Sequence, residues 1–155
     1  MLKLGKLTDY GTVIMTVLAG SPAAILSAQD IAMRAHLTLP TVAKLLKQLV
    51  RAGLVQSQRG AHGGYRLARD PSTITVADVV VALEGPVALT ECSGEGSGCQ
   101  IQTQCETRTN WQAINQAIAQ ALASVTLAQM LPPRRAREPH AAAQAPHEFP
   151  LVRAT

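Results

Sequence analysis

Residues 27–67 read SAQDIAMRAHLTLPTVAKLLKQLVRAGLVQSQRGAHGGYRL, and this stretch decides the fold. Ser27 with Asp30 three residues later is a capping-box signature. It opens a short helix, Ala28 to Ala35, with Ile31 and Ala32 facing inward. His36 and Leu37 make a brief turn. A longer helix follows, with Thr38 as its cap and Pro40 in its first turn, where a missing N–H costs nothing. Its apolar stripe is Val42, Leu45, Leu46, Leu49 and Val50. Gly53 fits the left-handed position after the helix end. Two strand-like pieces, 54–57 and 65–68, flank seven residues that include three glycines. That predicts a β-hairpin with a long, flexible, basic tip.

Upstream, Leu7, Tyr10, Val13, Ile14, Val17 and Leu18 recur at helical spacing, and Gly20-Ser21-Pro22 ends the run. Lys3 and Lys6 ahead of this stretch give it some look of a signal peptide. Asp9 and Gly11 break the apolar run, so an amphipathic helix is the preferred reading. Downstream, Asp70-Pro71-Ser72 is a turn. Thr75 with Asp78 caps a further helix whose core face is Val76, Val79, Val80 and Leu83, stopped by Gly85-Pro86. Helix, short helix, helix and basic hairpin, in that order, make a winged helix-turn-helix over residues 1–85. The fold class is mainly α with a small β-hairpin wing.

Beyond residue 85 the pattern changes. Residues 86–105 form a loop of small residues that holds all three cysteines. From 106 to 131 the spacing turns helical again, through Trp111, Ile114, Ile118, Leu122, Val125 and Ala128. One continuous helix there would be about 40 Å long. An apolar stripe of that length is expected to meet a second copy, so it reads as a dimerisation helix. Folding back on the N-terminal domain is the alternative. Residues 132–155 lose all periodicity and read as a disordered basic tail.

The 155 residues are 47% hydrophobic, too apolar for a disordered chain. Only 3% are aromatic, too few for a protein that holds single strands by base stacking. The net charge of +4 hides a division. Residues 1–70 carry nine cations against Asp9, Asp30 and Asp70, a net of +6. Residues 71–131 net −4, and the tail +2. A basic first half suggests a polyanionic partner, here double-stranded operator DNA, although a solvated basic face would look similar. Within that half, Thr38, Pro40, Thr41 and Lys44 begin the recognition helix and would approach base edges and phosphates. Lys47 and Arg51 would neutralise phosphate. Arg59 and His62 on the wing would reach an adjacent groove.

Cys92, Cys99 and Cys105 are an odd number, which argues against a secreted disulfide scaffold and for a reduced, cytoplasmic setting. Three thiolates on a loop are a soft ligand set suited to zinc, copper(I) or an iron–sulfur cluster; free, unrelated cysteines are the alternative. The C-x2-C pairs of zinc fingers are absent. Gly60, Gly63 and Gly64 lack the Lys-Ser or Lys-Thr of a P-loop, and no nucleophile motif supports catalysis. No run of residues is apolar and long enough to suggest a membrane helix.

Leu7-Thr8-Asp9-Tyr10-Gly11, Thr41 through Lys47, Arg51-Ala52-Gly53-Leu54-Val55, Arg59 through Tyr65 and Ala82-Leu83-Glu84-Gly85-Pro86 together resemble the Rrf2 family of bacterial regulators. The resemblance runs from residue 1 to about 131. It is nearest to the branch described as regulators of SUF-system iron–sulfur assembly. It implies a homodimer, and an iron–sulfur cluster on Cys92, Cys99 and Cys105 whose state tunes DNA binding. In IscR-like members a histidine three residues after the third cysteine completes the ligand set. Here that residue is Arg108, which stays protonated and cannot ligate. NsrR-like members use an aspartate near the N-terminus of the other subunit, and Asp9 occupies the matching position. An ordinary helix-start carboxylate is the other reading of Asp9. The resemblance therefore leaves both a two-iron and a four-iron cluster open. A metal-free regulator with redox-active or inert thiols, or a helix-mediated interaction protein, are the competing classes.

Overall fold

The computed structural model describes residues 4–60, 62–90 and 104–132. Helices α1 (Lys6–Ala19), α2 (Ala28–Ala35) and α3 (Leu39–Arg51) are followed by strands β1 (Val55–Gln58) and β2 (Gly64–Leu67). A short 3-10 turn at Pro71–Thr73 leads into α4 (Val76–Glu84), and then α5 (Arg108–Ala123) and α6 (Leu127–Met130). The expected winged helix-turn-helix is present.

Local chemistry places these elements. Ser27 and Asp30 exchange hydrogen bonds as a complete capping box at α2, and Thr75 and Asp78 do the same at α4. At the end of α2, His36 takes a left-handed φ of 54°, which lets the Leu37 N–H return to the Ala32 carbonyl at 3.0 Å. That sets the angle between α2 and α3. Thr38 stands at the α3 N-cap position, but its side chain does not cap the helix. Its hydroxyl lies 2.8 Å from that of Thr41 instead.

The strands pair antiparallel with Val55 opposite Leu67 and Gln58 opposite Gly64. Pairing therefore runs one residue further toward the tip than the sequence suggests, leaving a loop of residues 59–63. Tyr65 also exchanges backbone hydrogen bonds with Leu26, at 2.8 and 3.0 Å, which anchors the wing to the chain just ahead of the α2 cap.

The core gathers Ile14 and Leu18 of α1, Ile31 of α2, Leu45, Leu46 and Leu49 of α3, and Val79 of α4. The C-terminal region departs from the expected single helix over 106–131. The helix ends at Ala123, and Thr126 starts a new one with its own capping box, donating its N–H to Gln129 Oε1 at 2.8 Å. Between them Thr126 is extended and bridges to Thr75. The Val76 N–H donates to the Val125 carbonyl and the Leu127 N–H to the Ile74 carbonyl, both at 2.9 Å. Leu127 is 0% exposed, inserted in the core of the winged domain. Burying that one leucine is worth about 1.5–3 kcal/mol, which outweighs the gain from continuing an exposed helix by one turn. The end of the stripe thus folds back on its own domain. α5, about 24 Å long, keeps Trp111 and Ile114 exposed among the described residues.

Replacing Leu127 by Ala should lower unfolding stability by about 2–5 kcal/mol, as for other leucines in a packed core. Urea unfolding of the full chain reads this, and an unchanged midpoint would contradict the fold-back.

Candidate nucleic-acid interface and cysteine segment

Helix α3 separates two kinds of side chain. Val42, Leu45, Leu46 and Leu49 are fully buried. At about 100° per residue, Pro40, Lys44, Lys47 and Arg51 fall in one row on the opposite side. All four are exposed, as is Thr38 at the start of the helix, while Thr41 is half-buried at the row's edge. None of the three cations has an ion-pair partner among the described residues. Leu39 is 47% exposed in the same first turn, an apolar neighbour of this row that the sequence reading did not include.

The wing supplies a second exposed cationic element. Arg59 and His62 lie exposed in its tip, where the Gly63 N–H closes onto the Gly60 carbonyl at 2.9 Å. Gly63 has no room for a side chain, because a Cβ there would run into the Gln58 carbonyl oxygen. The tip is therefore more tightly turned than its glycine content alone suggests. On the exposed face of the hairpin, Arg66 Nε donates to Gln56 Oε1 across the strands at 3.2 Å. Arg69 and Arg51 border one open cleft of about 620 Å3 at the end of α3. Arg69 pairs with Asp78 at 3.7 Å, so of Arg66 and Arg69 it is Arg66 that adds unneutralised positive charge to the surface. Their charge was visible in the sequence, but not the side they face.

The cysteines divide. Cys92 and Cys99 lie outside the described residues. Cys105 is half-buried just before α5, with its Sγ 3.3 Å from the Thr107 hydroxyl. Hydrogen bonds from the Thr107 side chain and backbone, reinforced by Arg108, hold its thiol below the usual range. Cys105 is thereby drawn toward the thiolate, the form that binds metals. Asp9 sits exposed on the first turn of α1, bordering a cleft with Lys6, Thr12, Val76 and Met130. No cysteine is among that cleft's described residues. Among the described residues, no three His, Cys, Asp or Glu side chains gather as a metal site.

The segment carrying the cysteines is tied down where it begins. Asn115 on α5 donates from Nδ2 to the Val87 carbonyl at 2.8 Å and accepts the Leu89 N–H at 3.1 Å. This bidentate amide clamp joins residues separated by more than 25 positions, and no local sequence signal announces it. No helix among the described residues is long and apolar enough to cross a membrane.

The lowered Cys105 pKa has a measurable sign. In cluster-free protein, the pH profile for iodoacetamide alkylation of Cys105 should lie below that of an ordinary thiol. Thr107→Val should move the alkylation profile to higher pH, and a profile unmoved by that substitution would count against the hydrogen-bond cause.

Comparison with known proteins bears on this arrangement. The family model described as an iron-dependent transcriptional regulator, Rrf2, matches residues 4–133. The protein Rrf2 of Nitratidesulfovibrio vulgaris is 38% identical over 132 residues, covering 84% of this chain and 87% of that one. Among solved structures, CymR, the global cysteine regulator of B. subtilis, superposes with a TM-score of 0.67 at 33% identity, covering 84% of this chain and 96% of its own. T. potens IscR gives 0.65 at 35% identity, covering 83% of this chain and 85% of its own. With its winged helix-turn-helix and basic α3 face, the chain belongs to the Rrf2 family and is a DNA-binding transcription regulator rather than an enzyme.

Proposed function

We propose that this regulator binds operator DNA as a homodimer and senses iron–sulfur or redox status, controlling genes of SUF-type cluster assembly. The observation that carries the DNA reading is the row of Pro40, Lys44, Lys47 and Arg51, solvent-facing because the opposite face of α3 is fully buried. Thr38, Thr41 and Lys44 enter the major groove, Lys47 and Arg51 neutralise phosphates, and Arg59 and His62 on the wing reach the neighbouring groove. The exposed stripe of α5, with Trp111 40% and Ile114 45% accessible, is the surface for the second copy.

The sensing reading is supported by the soft thiol set and by the hydrogen bonds from Thr107 that lower the pKa of Cys105. Cys92, Cys99 and Cys105 would hold the cluster, with the partner subunit's Asp9 as an oxygen ligand. A bound cluster supplies reversible redox and ligand-exchange chemistry. The chain's residues contribute a thiol held ready at the foot of α5 and a backbone strap fixed by Asn115. Such a group regulates only so far as it favours one arrangement of the DNA-binding domains over the other. A cytoplasmic location suits both the reduced thiols and the DNA partner.

Likeness to a global cysteine regulator favours one second reading, a metal-free protein whose thiols respond to redox or sulfur status. Anaerobic purification with iron and sulfide quantification and a visible spectrum separates the two. The proposal expects a coloured protein with iron and sulfide in cluster ratio, lost in Cys92→Ala. Colourless, iron-free protein that behaves like Cys92→Ala would overturn the sensing reading.

Gel-shift with promoter DNA from its own operon tests the interface. Lys44→Ala and Arg59→Ala should each weaken binding. Wild-type affinity should fall steeply with added salt, and Lys44→Ala should reduce that salt slope by about one. Salt-independent binding would contradict the interface.

A further inference from the structure

Helix α1 has no cap of its own. Its N-cap residue is Gly5, which carries no side chain to accept a hydrogen bond. The missing acceptor comes from 79 residues away. Glu84, the last residue of α4, accepts the Gly5 N–H on Oε1 at 2.7 Å, and the Thr8 hydroxyl donates to the same oxygen. In an ordinary capping box, the acidic side chain at the third helical position accepts the N-cap N–H. Here Thr8 holds that position, and a carboxylate from another helix takes over the role. Its charge also lies at the positive end of α1, where a carboxylate is favoured.

The geometry around this cap is restrictive. A Cβ on Gly5 would collide with the Glu84 carboxylate, and one on Gly11 would collide with Leu83 Cδ1. Both glycines are what allow the last turn of α4 to approach α1. Thr8 is fully buried, so its hydroxyl has no access to water as a substitute partner. Immediately after Glu84, Gly85 turns the chain with φ of 90°, and Val87 and Leu89 are clamped by Asn115 of α5. The six residues from Glu84 to Leu89 therefore join three things: the start of α1, the end of α4, and the helix that Cys105 precedes.

We propose that Glu84 is a positioning residue that couples the cysteine segment to the DNA-binding domain through the N-terminus of α1. A change in the strap 85–90 moves Glu84, and Glu84 carries the first turn of α1, with Asp9, along with it. α1 packs its Ile14 and Leu18 into the core shared with α2 and α3, so its displacement reaches the recognition helix. The inference rests on the sensing reading and specifies its route.

The test compares full-length protein, cluster-loaded under anaerobic conditions and cluster-stripped, by fluorescence anisotropy on promoter DNA. Wild type should bind with different affinities in the two states. Glu84→Ala should shrink the ratio of those affinities about fivefold or more, a change in the range of site-to-site coupling. Glu84→Gln keeps an acceptor oxygen for Gly5 and Thr8 and should retain more of the ratio. Hydrogen exchange of the amides of residues 5–9 should accelerate in Glu84→Ala. If Glu84→Ala does not fold, Thr8→Val, near-isosteric and lacking the donor, takes its place with the same expectation. A Glu84→Ala protein whose two affinities fall together at an unchanged ratio has lost only a structural cap, and that result overturns the proposal while leaving the sensing reading intact. Equal affinities in wild type would overturn both.

Discussion

The complete burial of one face of α3 is the constraint from which the candidate interface follows. Val42, Leu45, Leu46 and Leu49 are each 0% exposed. Turning the helix by a single residue would bring one of them into water and carry Lys44 or Lys47 toward the core. An unpaired ammonium there costs several kcal/mol beyond the lost apolar burial. The cations face outward because the leucines cannot. Neighbouring contacts fix the rest of the geometry: the capping box at α2, the left-handed His36, and the pairing of Tyr65 with Leu26 that draws the wing alongside. Each acts on backbone, so none competes with side chains on the exposed row.

Close approach between α1 and α4 is the second constraint, and it works by subtraction. At Gly5, the N-cap, and Gly11, inside α1, the ends of the Glu84 and Leu83 side chains occupy the space a Cβ would take. Helix propensity loses about 1 kcal/mol at a glycine inside a helix such as Gly11. The packing of Leu83 and the borrowed cap at Glu84 offset that loss. A contact of this kind is sensitive to small displacements. Hydrogen bonds weaken steeply with misalignment, and Thr8 is too deeply buried to trade its partner for water. The residues that continue from Glu84 lead directly into the cysteine segment.

What could be read from the sequence was what local chemistry decides. The boxes at Ser27–Asp30 and Thr75–Asp78 are contacts three residues apart, and the stripe of α3 repeats within a turn, so both were legible. Thr126–Gln129 carries the same signature and announced a new helix. The sequence reading did not use it and followed the apolar period through Val125 and Ala128, although period alone does not say whether a helix continues across a β-branched pair. Glu84 and Asn115 were illegible for a different reason. Their partners lie 79, 76, 28 and 26 residues away, and each depends on how whole helices pack. Among the site residues, charge and helical register located the exposed row on α3. The side that Arg66 and Arg69 face became clear only with the hairpin and α4 in place.

The fold-back at Leu127 bears on how a second copy would be held under the proposed dimer. With Leu127 of α6 buried in the domain core, the available seam is α5, through Trp111, Ile114, Ile118 and Leu122. Its far end is joined to the winged domain through the backbone bonds of Val125 and Leu127 to Val76 and Ile74. Its middle is joined to residues 87–89 by Asn115. An α5 tied to the domain at two levels cannot swing as a loose stalk. Under the proposed dimer, a change at the seam would therefore tilt the winged domain together with α5. In the proposed dimer, two recognition helices would meet half-sites about 34 Å apart, and a small rotation at α5 would be amplified at the distance of α3.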